Sequence, residues 1–453
     1  MLALFGVLIV AGFMLLIMTR KAPPFTALVL VPLAVGLGTG WFGEFGYTAA
    51  DIPKFAIAGM IGNAKLDING VAGTALMLLF AILYFGMMLT AGLFTPAVNF
   101  IVKVIKGDPL KVLVGTALLA LAVSVDGDGS TTTLVVCSAL IPVYKKLNMK
   151  MMDLAVIVIL SNSIMNLLPW GGPTARIITA LNVDEGELMR LLIPGMVMAS
   201  VWVIAVAVIR GMQERKRLGI REFTHKELAA IMAEQYREDA DLARPKMVWF
   251  NFILTAILMI QLIFGGMFGL PKIHAALIFA TGLAIALTVN YPRPVNQRRI
   301  VEKYGAAAVP VIFMVLAAGV FMGVLSGTGM NQAMGHSLAT LIPERFGSHW
   351  ALIVALLSVP GTFFLSNDAF YLGVLPVLNE VGLRNGFSAL DIALASTTGQ
   401  AFHLLSPLVG FIYLLLQQTG VDMGKWQLES AKWAIGIFVL FVLSMFVFAG
   451  VAL

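Results

Sequence analysis

Apolar runs follow one another almost from end to end of this chain, and that feature restricts the possible folds more than any single motif does. In hydrocarbon every backbone N–H and C=O must be bonded within the protein, so only α-helices and closed barrels can span a bilayer. Strand-period alternation is missing, so the pattern predicts an all-α polytopic membrane protein. Composition points the same way, with 59% of the 453 residues hydrophobic and only 12% charged. The formal charge of +6 sits in short basic segments between apolar runs. That distribution follows the positive-inside rule and predicts no nucleic-acid partner. Cys137 is the only cysteine, so no intrachain disulfide or cysteine-based metal site is expected.

Charge placement then orders the spans. Met1 to Thr19 is apolar and is followed, not preceded, by Arg20 and Lys21, the reverse of a cleaved signal peptide. It reads as a retained span with its N-terminus outside, and Pro24 to Trp41 as the return. Gly43 to Gly70, which contains the weakly amphipathic FAIAGMIGNA, is an external connection, Val71 to Leu93 crosses inward, and Phe94 to Lys106 suits a helix in the cytoplasmic interface. Leu110 to Tyr144 holds two apolar arms too short to cross, with Lys111 at one end and Lys145 and Lys146 at the other. The economical solution is a re-entrant hairpin over about 110–146 with its tip near the midplane. Met152 to Ile178 is a span broken within Ser161 to Pro173, where two prolines and a glycine pair free backbone groups. Arg210 to Lys246 mixes basic and acidic residues and reads as a solvated cytoplasmic linker.

The same design recurs beyond the linker. Ser124-Val-Asp-Gly opens an interval closing with Ile141-Pro-Val143, and Ser358-Val-Pro-Gly opens one of equal length closing with Leu375-Pro-Val377, at a constant offset of 234. Asn162 to Pro169 pairs with Gln400 to Pro407 at offset 238. Because the basic linker lies inside, the second half starts from the opposite face, so the repeats are expected to be inverted. The expected organisation is a first repeat over 1–209, a linker over 210–246 and a second repeat over 247–453. Each repeat has about five spans, a re-entrant hairpin and a broken transmembrane helix, with the second hairpin at about 350–379 and the second broken span at about 389–417. Met330 to Phe346 is expected as an external interfacial helix. Hairpin tips meeting broken spans at the midplane is the logic of a secondary transporter.

The strings DGDGSTTT at 126–133, LSNSIMNLLPWGGPTAR at 160–176 and LSNDAFYLGVLPVL at 365–378 resemble the citrate and divalent-metal:proton symporters (CitMHS) of the ion transporter superfamily. The resemblance spans nearly the whole chain. It implies proton-coupled symport of citrate complexed with a divalent metal ion such as Mg²⁺ or Ca²⁺, in a multi-pass protein of the inner (plasma) membrane. It also implies a homodimer whose mobile part moves past a scaffold in an elevator-like way. No cofactor is implied, the metal being cargo.

Chemistry at the polar tips can be read beside that resemblance. Citrate at neutral pH is a trianion, its divalent-metal complex carries one net negative charge, and hard cations prefer oxygen ligands. Ser130, Thr131, Thr132, Ser161, Asn162, Ser163, Ser366, Asn367 and Thr397 are the candidate substrate ligands, with helix N-termini favouring carboxylates. Asp126, Asp128 and Asp368 suit a metal that accompanies the anion or a proton that accompanies transport, and each also suits a turn or helix cap. His403 is a second proton-carrier candidate, since imidazole titrates near neutral pH, or a structural histidine. Arg176 could meet a carboxylate or only reach the interface. The runner-up is a sodium-coupled transporter of free di- or tricarboxylates on the same fold. An enzyme is not expected, because no metalloprotease, nucleotide-loop or serine-nucleophile motif occurs.

Overall fold

Helix starts in this chain are written by their caps. Asp108 accepts from the Leu110 N–H with Pro109 in the first turn, Asp184 accepts from the Glu187 N–H, and Ser388 and Asp391 close a reciprocal capping box. Each arrangement satisfies N–H groups that the first helical turn leaves without partners. The computed structural model describes every residue except 20, 43–44, 67, 69, 97–99, 101–103, 105–106, 128, 221–239, 265–270, 272, 342–343, 366, 407–408 and 452–453. The described residues form helices and one isolated β-bridge, Asn63 with Ile68. Seven of the described helices are long and apolar enough to cross a membrane. The interfacial helix expected at 94–106 falls largely outside the described residues.

In the first half α1 is Leu2–Met18, α2 Pro24–Phe42, α3 Ile52–Ile61 and α4 Ala72–Ala91. The first hairpin is α5 (Pro109–Val123), a 3₁₀ turn (Ser124–Asp126) and α6 (Gly129–Leu147). Its arms are antiparallel, since Thr116 meets the Tyr144 hydroxyl at 3.0 Å and Ser124 meets Thr132 at 3.0 Å. The interrupted span is α7 (Met151–Met165) followed by α8 (Gly172–Leu181), and α9 (Glu185–Leu218) returns. The second half begins with α10 (Val248–Phe264), α11 (Ala275–Asn290), α12 (Pro294–Gly327) and α13 (Met330–Leu341). Its hairpin is α14 (Trp350–Phe364), a π-helical stretch (Asp368–Val374) and α15 (Leu375–Arg384), and Trp350 Nε1 donates across it to the Leu378 carbonyl. Then come α16 (Ala389–Thr397), a single turn Gln400–His403, α17 (Gly410–Thr419) and α18 (Met423–Ala449).

Helix boundaries repeat as the sequence does. The starts at Met151, Gly172 and Glu185 recur 238 residues later at Ala389, Gly410 and Met423, and the end at Leu181 recurs at Thr419. The N-caps Asp184 and Asp422 are related by the same interval. The corresponding helices α9 and α18 lie side by side and antiparallel: Gly195 faces Phe441, Trp202 covers Gly436, and Arg210 pairs with Glu429.

Two placements differ from the reading by pattern. Helix α9 continues through Leu218, past the linker boundary expected at 210. Arg210 is largely buried, paired with Asp153 of α7 and Glu429 of α18. The stretch Phe55 to Gly62, expected as a weakly amphipathic part of an external connection, lies mostly in helix α3, which buries Ile52, Phe55, Ala56, Ala58 and Gly59 and leaves Ile57 and Ile61 exposed. Gly319 and Gly323 of α12 let α3 approach backbone to backbone. A Cβ on Gly323 would lie 2.2 Å from the Phe55 carbonyl oxygen, and one on Gly59 would lie 2.0 Å from that of Gly319. Small residues bring helices together in membranes because lipid tails supply no hydrophobic drive between them.

Candidate functional site

Each hairpin is tied to the broken span that follows it through hydroxyls and one amide. In the first half Ser124, Thr132 and Asn162 are fully or almost fully buried. Ser124 and Thr132 hydroxyls share a bond, and Asn162 Nδ2 donates to both oxygens at 3.3 Å. Trp170 Nε1 donates to the Val125 carbonyl at 2.8 Å, which fixes the tip against the break. The Trp170 ring stacks on Phe85 of α4 and meets Phe279 of α11 edge-on. Gly127 turns the tip in a left-handed conformation, φ 78°, which only glycine adopts without strain.

The second half repeats this with different side chains. Ser358 meets the Thr398 hydroxyl at 3.2 Å, and Thr362 donates to the Gly399 carbonyl at 3.1 Å. Gln400, the counterpart of Asn162, donates through Nε2 to Asn367 Oδ1 at 2.9 Å and to the Tyr371 hydroxyl at 2.8 Å. His403 is buried, with Nδ1 2.6 Å from the Thr362 carbonyl. Since a carbonyl only accepts, that nitrogen carries the proton.

The remaining acceptors are the informative part. Asn162 Oδ1, Gln400 Oε1 and Thr133 Oγ1 are buried and lack a hydrogen-bond partner within the described protein. A buried acceptor left unpaired costs about 1–3 kcal/mol, so a pair of them at equivalent positions calls for a bound donor or cation. Ser161, Ser163 and Thr397 donate to carbonyls of their own helices, Ile157, Leu160 and Leu394, leaving their oxygen lone pairs to accept. Ser130 and Thr131 lie half-buried in the first turn of α6, beside the half-buried Asp126. Asp128 and Ser366 lie outside the described residues, and Asp368 is placed only by its backbone, at the start of the π-helical stretch.

The halves are interlocked at these elements. A Cβ on Gly129 would lie 2.2 Å from Phe411 Cζ, so the first hairpin abuts α17 of the second broken span. Helix α8 of the first broken span packs in turn on the π-helical stretch of the second hairpin, and the turn Gln400–His403 packs on α7. Thus the structure brings Thr132 to Asn162 and Asn367 to Gln400. Pattern reading passed over Ser124, Thr362, Tyr371 and Gln400 as site residues. The repeat itself held the signal for Gln400, which stands at the position of Asn162. Arg176 is half-buried on α8 and donates to the Gly172 carbonyl at 2.7 Å.

Apolar spans enclosing paired hairpins and interrupted helices define the class, a multi-pass membrane protein of transporter fold. The fold is shared with the transporter YdaH of Alcanivorax borkumensis (TM-score 0.62, 14% identity, covering 94% of this chain and 97% of that one). It is also shared with MtrF of Neisseria gonorrhoeae (TM-score 0.59, 12% identity, 94% and 95%). Residues 13–399 match the model of the CitMHS family, described as citrate transporter, and the chain belongs to that family. A Bacillus subtilis (strain 168) protein named "Citrate transporter" is 43% identical over 98% of both chains. Another from the same organism, named "Mg(2+)/citrate complex secondary transporter", is 41% identical over 96% of this chain and 95% of its own.

Proposed function

We propose that this protein is a secondary active transporter that carries citrate as its complex with a divalent metal ion, in symport with protons. The observation that carries the reading is the pair of buried amide oxygens of Asn162 and Gln400, without a partner among the described residues and set among hydroxyls at two helix breaks. A hard metal ion already ligated by citrate needs only a few neutral oxygens from the protein, whereas its free carboxylate oxygens need donors. Hydroxyls and helix starts such as that of α6 supply those donors. Ser130, Thr131, Thr132, Ser161, Asn162, Ser163, Ser366, Asn367 and Thr397 are the proposed cargo ligands. Asp126, Asp128, Asp368 and His403 are the proposed metal or proton carriers. The name of the relative that carries an Mg²⁺–citrate complex supports the same substrate.

The recurring helix boundaries and the antiparallel pairing of α9 with α18 support two inverted repeats joined by a cytoplasmic linker. In that arrangement the hairpins and broken spans move as one body past the remaining helices, in a homodimer of the inner membrane. The deciding experiment is uptake of radiolabelled citrate into proteoliposomes, with metal, proton gradient and sodium varied one at a time. Uptake should require the metal and the proton gradient and should collapse in excess chelator. Uptake that persists in chelator and follows sodium would replace this reading with sodium-coupled transport of free carboxylates.

A further inference from the structure

A polar cavity lies away from the tips, and none of the candidate ligands above lines it. It has a volume of about 330 Å³ and sits among the starts of α4 and α13, the α8–α9 turn, the end of α12 and the arm α15. By the charge rule this is the external end, opposite Arg215, Lys216 and Arg217 at the far end of α9. Glu185 and Glu380 face the cavity, and no Lys or Arg is among the described residues that line it. Asn331 and Asn379 also line it, 8% and 9% exposed, and the Oδ1 atom of each is buried without a hydrogen-bond partner among the described residues. The hydroxyls of Thr74, Thr179 and Ser326 complete a wall rich in oxygen.

We propose that this cavity is a capture site for a hydrated divalent cation, separate from the site at the helix breaks. Two carboxylates and two amide oxygens make acceptors outnumber the one ring donor of the wall, His274, whose Nδ1 takes the Ala276 N–H and leaves Nε2 as the N–H; that balance suits the water hydrogens of a hydrated ion and opposes a free carboxylate. Mg²⁺ in particular keeps several of its waters when bound. At ~30 Å³ per water, six waters occupy about 180 Å³, so the cavity holds the ion with its hydration shell. Helix starts favour anions, but two of those bordering the cavity are already answered. The Ala275 N–H donates to Glu185 Oε1, the Ala276 N–H to His274 Nδ1, and the Glu187 N–H to Asp184. The focusing that a single-sign cleft produces would raise the local concentration of the free cation at the mouth.

The inference does not depend on which substrate is carried, because its test omits citrate. Purified full-length protein in detergent is titrated with Mn²⁺, and free Mn²⁺ is read by its electron paramagnetic resonance signal. Binding displaceable by Mg²⁺ is expected, with Kd on the order of 10⁻⁴–10⁻³ M as for weak extracellular oxygen-ligand sites. The double substitution Glu185→Gln with Glu380→Gln should weaken binding at least about tenfold while keeping the acceptor that Ala275 uses. Glu380→Asp should retain it within about threefold, and Asp126→Asn should leave it in place. No Mn²⁺ binding to the unmodified protein would overturn the proposal. So would binding that survives the double substitution but is lost in Asp126→Asn.

Discussion

Replacing Asn162 by leucine, which has nearly the same shape, separates a structural amide from a working one. The substitution removes two hydrogen bonds, both at 3.3 Å, from Nδ2 to Ser124 and Thr132. Those hydroxyls keep their mutual bond at 3.0 Å. Each lost bond is worth about 0.5–1.5 kcal/mol net, so together they cost about 1–3 kcal/mol. The substitution also removes the unpartnered Oδ1, whose burial costs about 1–3 kcal/mol. The two terms nearly cancel, and the unfolding midpoint in detergent should move by only a few degrees. Transport should respond differently. An acceptor bound to a charged group contributes about 1.5–3 kcal/mol, so apparent affinity for cargo or co-ion should fall roughly 10- to 150-fold. Gln400→Met is the matched test on the other side. Its lost bonds, at 2.9 and 2.8 Å, are shorter, although Tyr371 keeps its bond to the Ser396 carbonyl. The assay is proteoliposome uptake per folded protein, alongside thermal unfolding of the same preparations. A large drop in stability with unchanged apparent affinity in both variants would refute the reasoning and make the two amides purely structural.

Cysteines placed at Lys111 and Lys145 in a Cys137→Ser background should both label from the cytoplasmic face. Labelling from opposite faces would make a true crossing of the two arms. Asp126→Asn, Asp128→Asn and Asp368→Asn should each lower proton-driven net uptake, and at the proton carrier alone exchange of metal-citrate between equal concentrations should survive. If all three keep the normal pH dependence, His403 carries the coupling. Gly323→Ala should lower stability by about 1–3 kcal/mol, the usual cost of overpacking, because its Cβ would lie 2.2 Å from a backbone oxygen. An unchanged unfolding midpoint would contradict the close contact of α3 and α12.

What could be read without coordinates is what breaks the apolar pattern. Ser161 to Pro173 stands out because hydrophobic helices do not tolerate such a run, and the structure ends α7 at Met165 and resumes at Gly172 inside it. The pairing of two arms was legible from their flanking lysines, but the expected shortness does not hold for the first, which with the turn after it, Pro109–Asp126, is long and apolar enough to cross a membrane. Arg210 was misplaced because a charge run beside an apolar span resembles a solvated segment. Its partners Asp153 and Glu429 stand far from it in the chain, and only the fold brings them together. The amphipathic character of the stretch from Phe55 was legible, but what its buried face meets was hidden for the same reason, since the glycines that admit α3 lie on α12. His403 was legible as a titratable group in a broken span, but its bond to the Thr362 carbonyl was not. Gln400 could have been found, because an interval of 238 carries Asn162 onto it.

The antiparallel seam of α9 and α18 has a further consequence. Gly195 faces Phe441 and Trp202 reaches Trp433, so each contact is nearly matched by its own counterpart one repeat away, as in an isologous dimer interface. In the proposed inverted-repeat arrangement this register sets the pseudo-twofold axis at Ala199 and Ile437, both fully buried. Two identical subunits must place the same side chain on both sides of such an axis, and would there face either a void or a clash. A single chain holding both copies is released from that constraint, and this one has set a small residue opposite a large one.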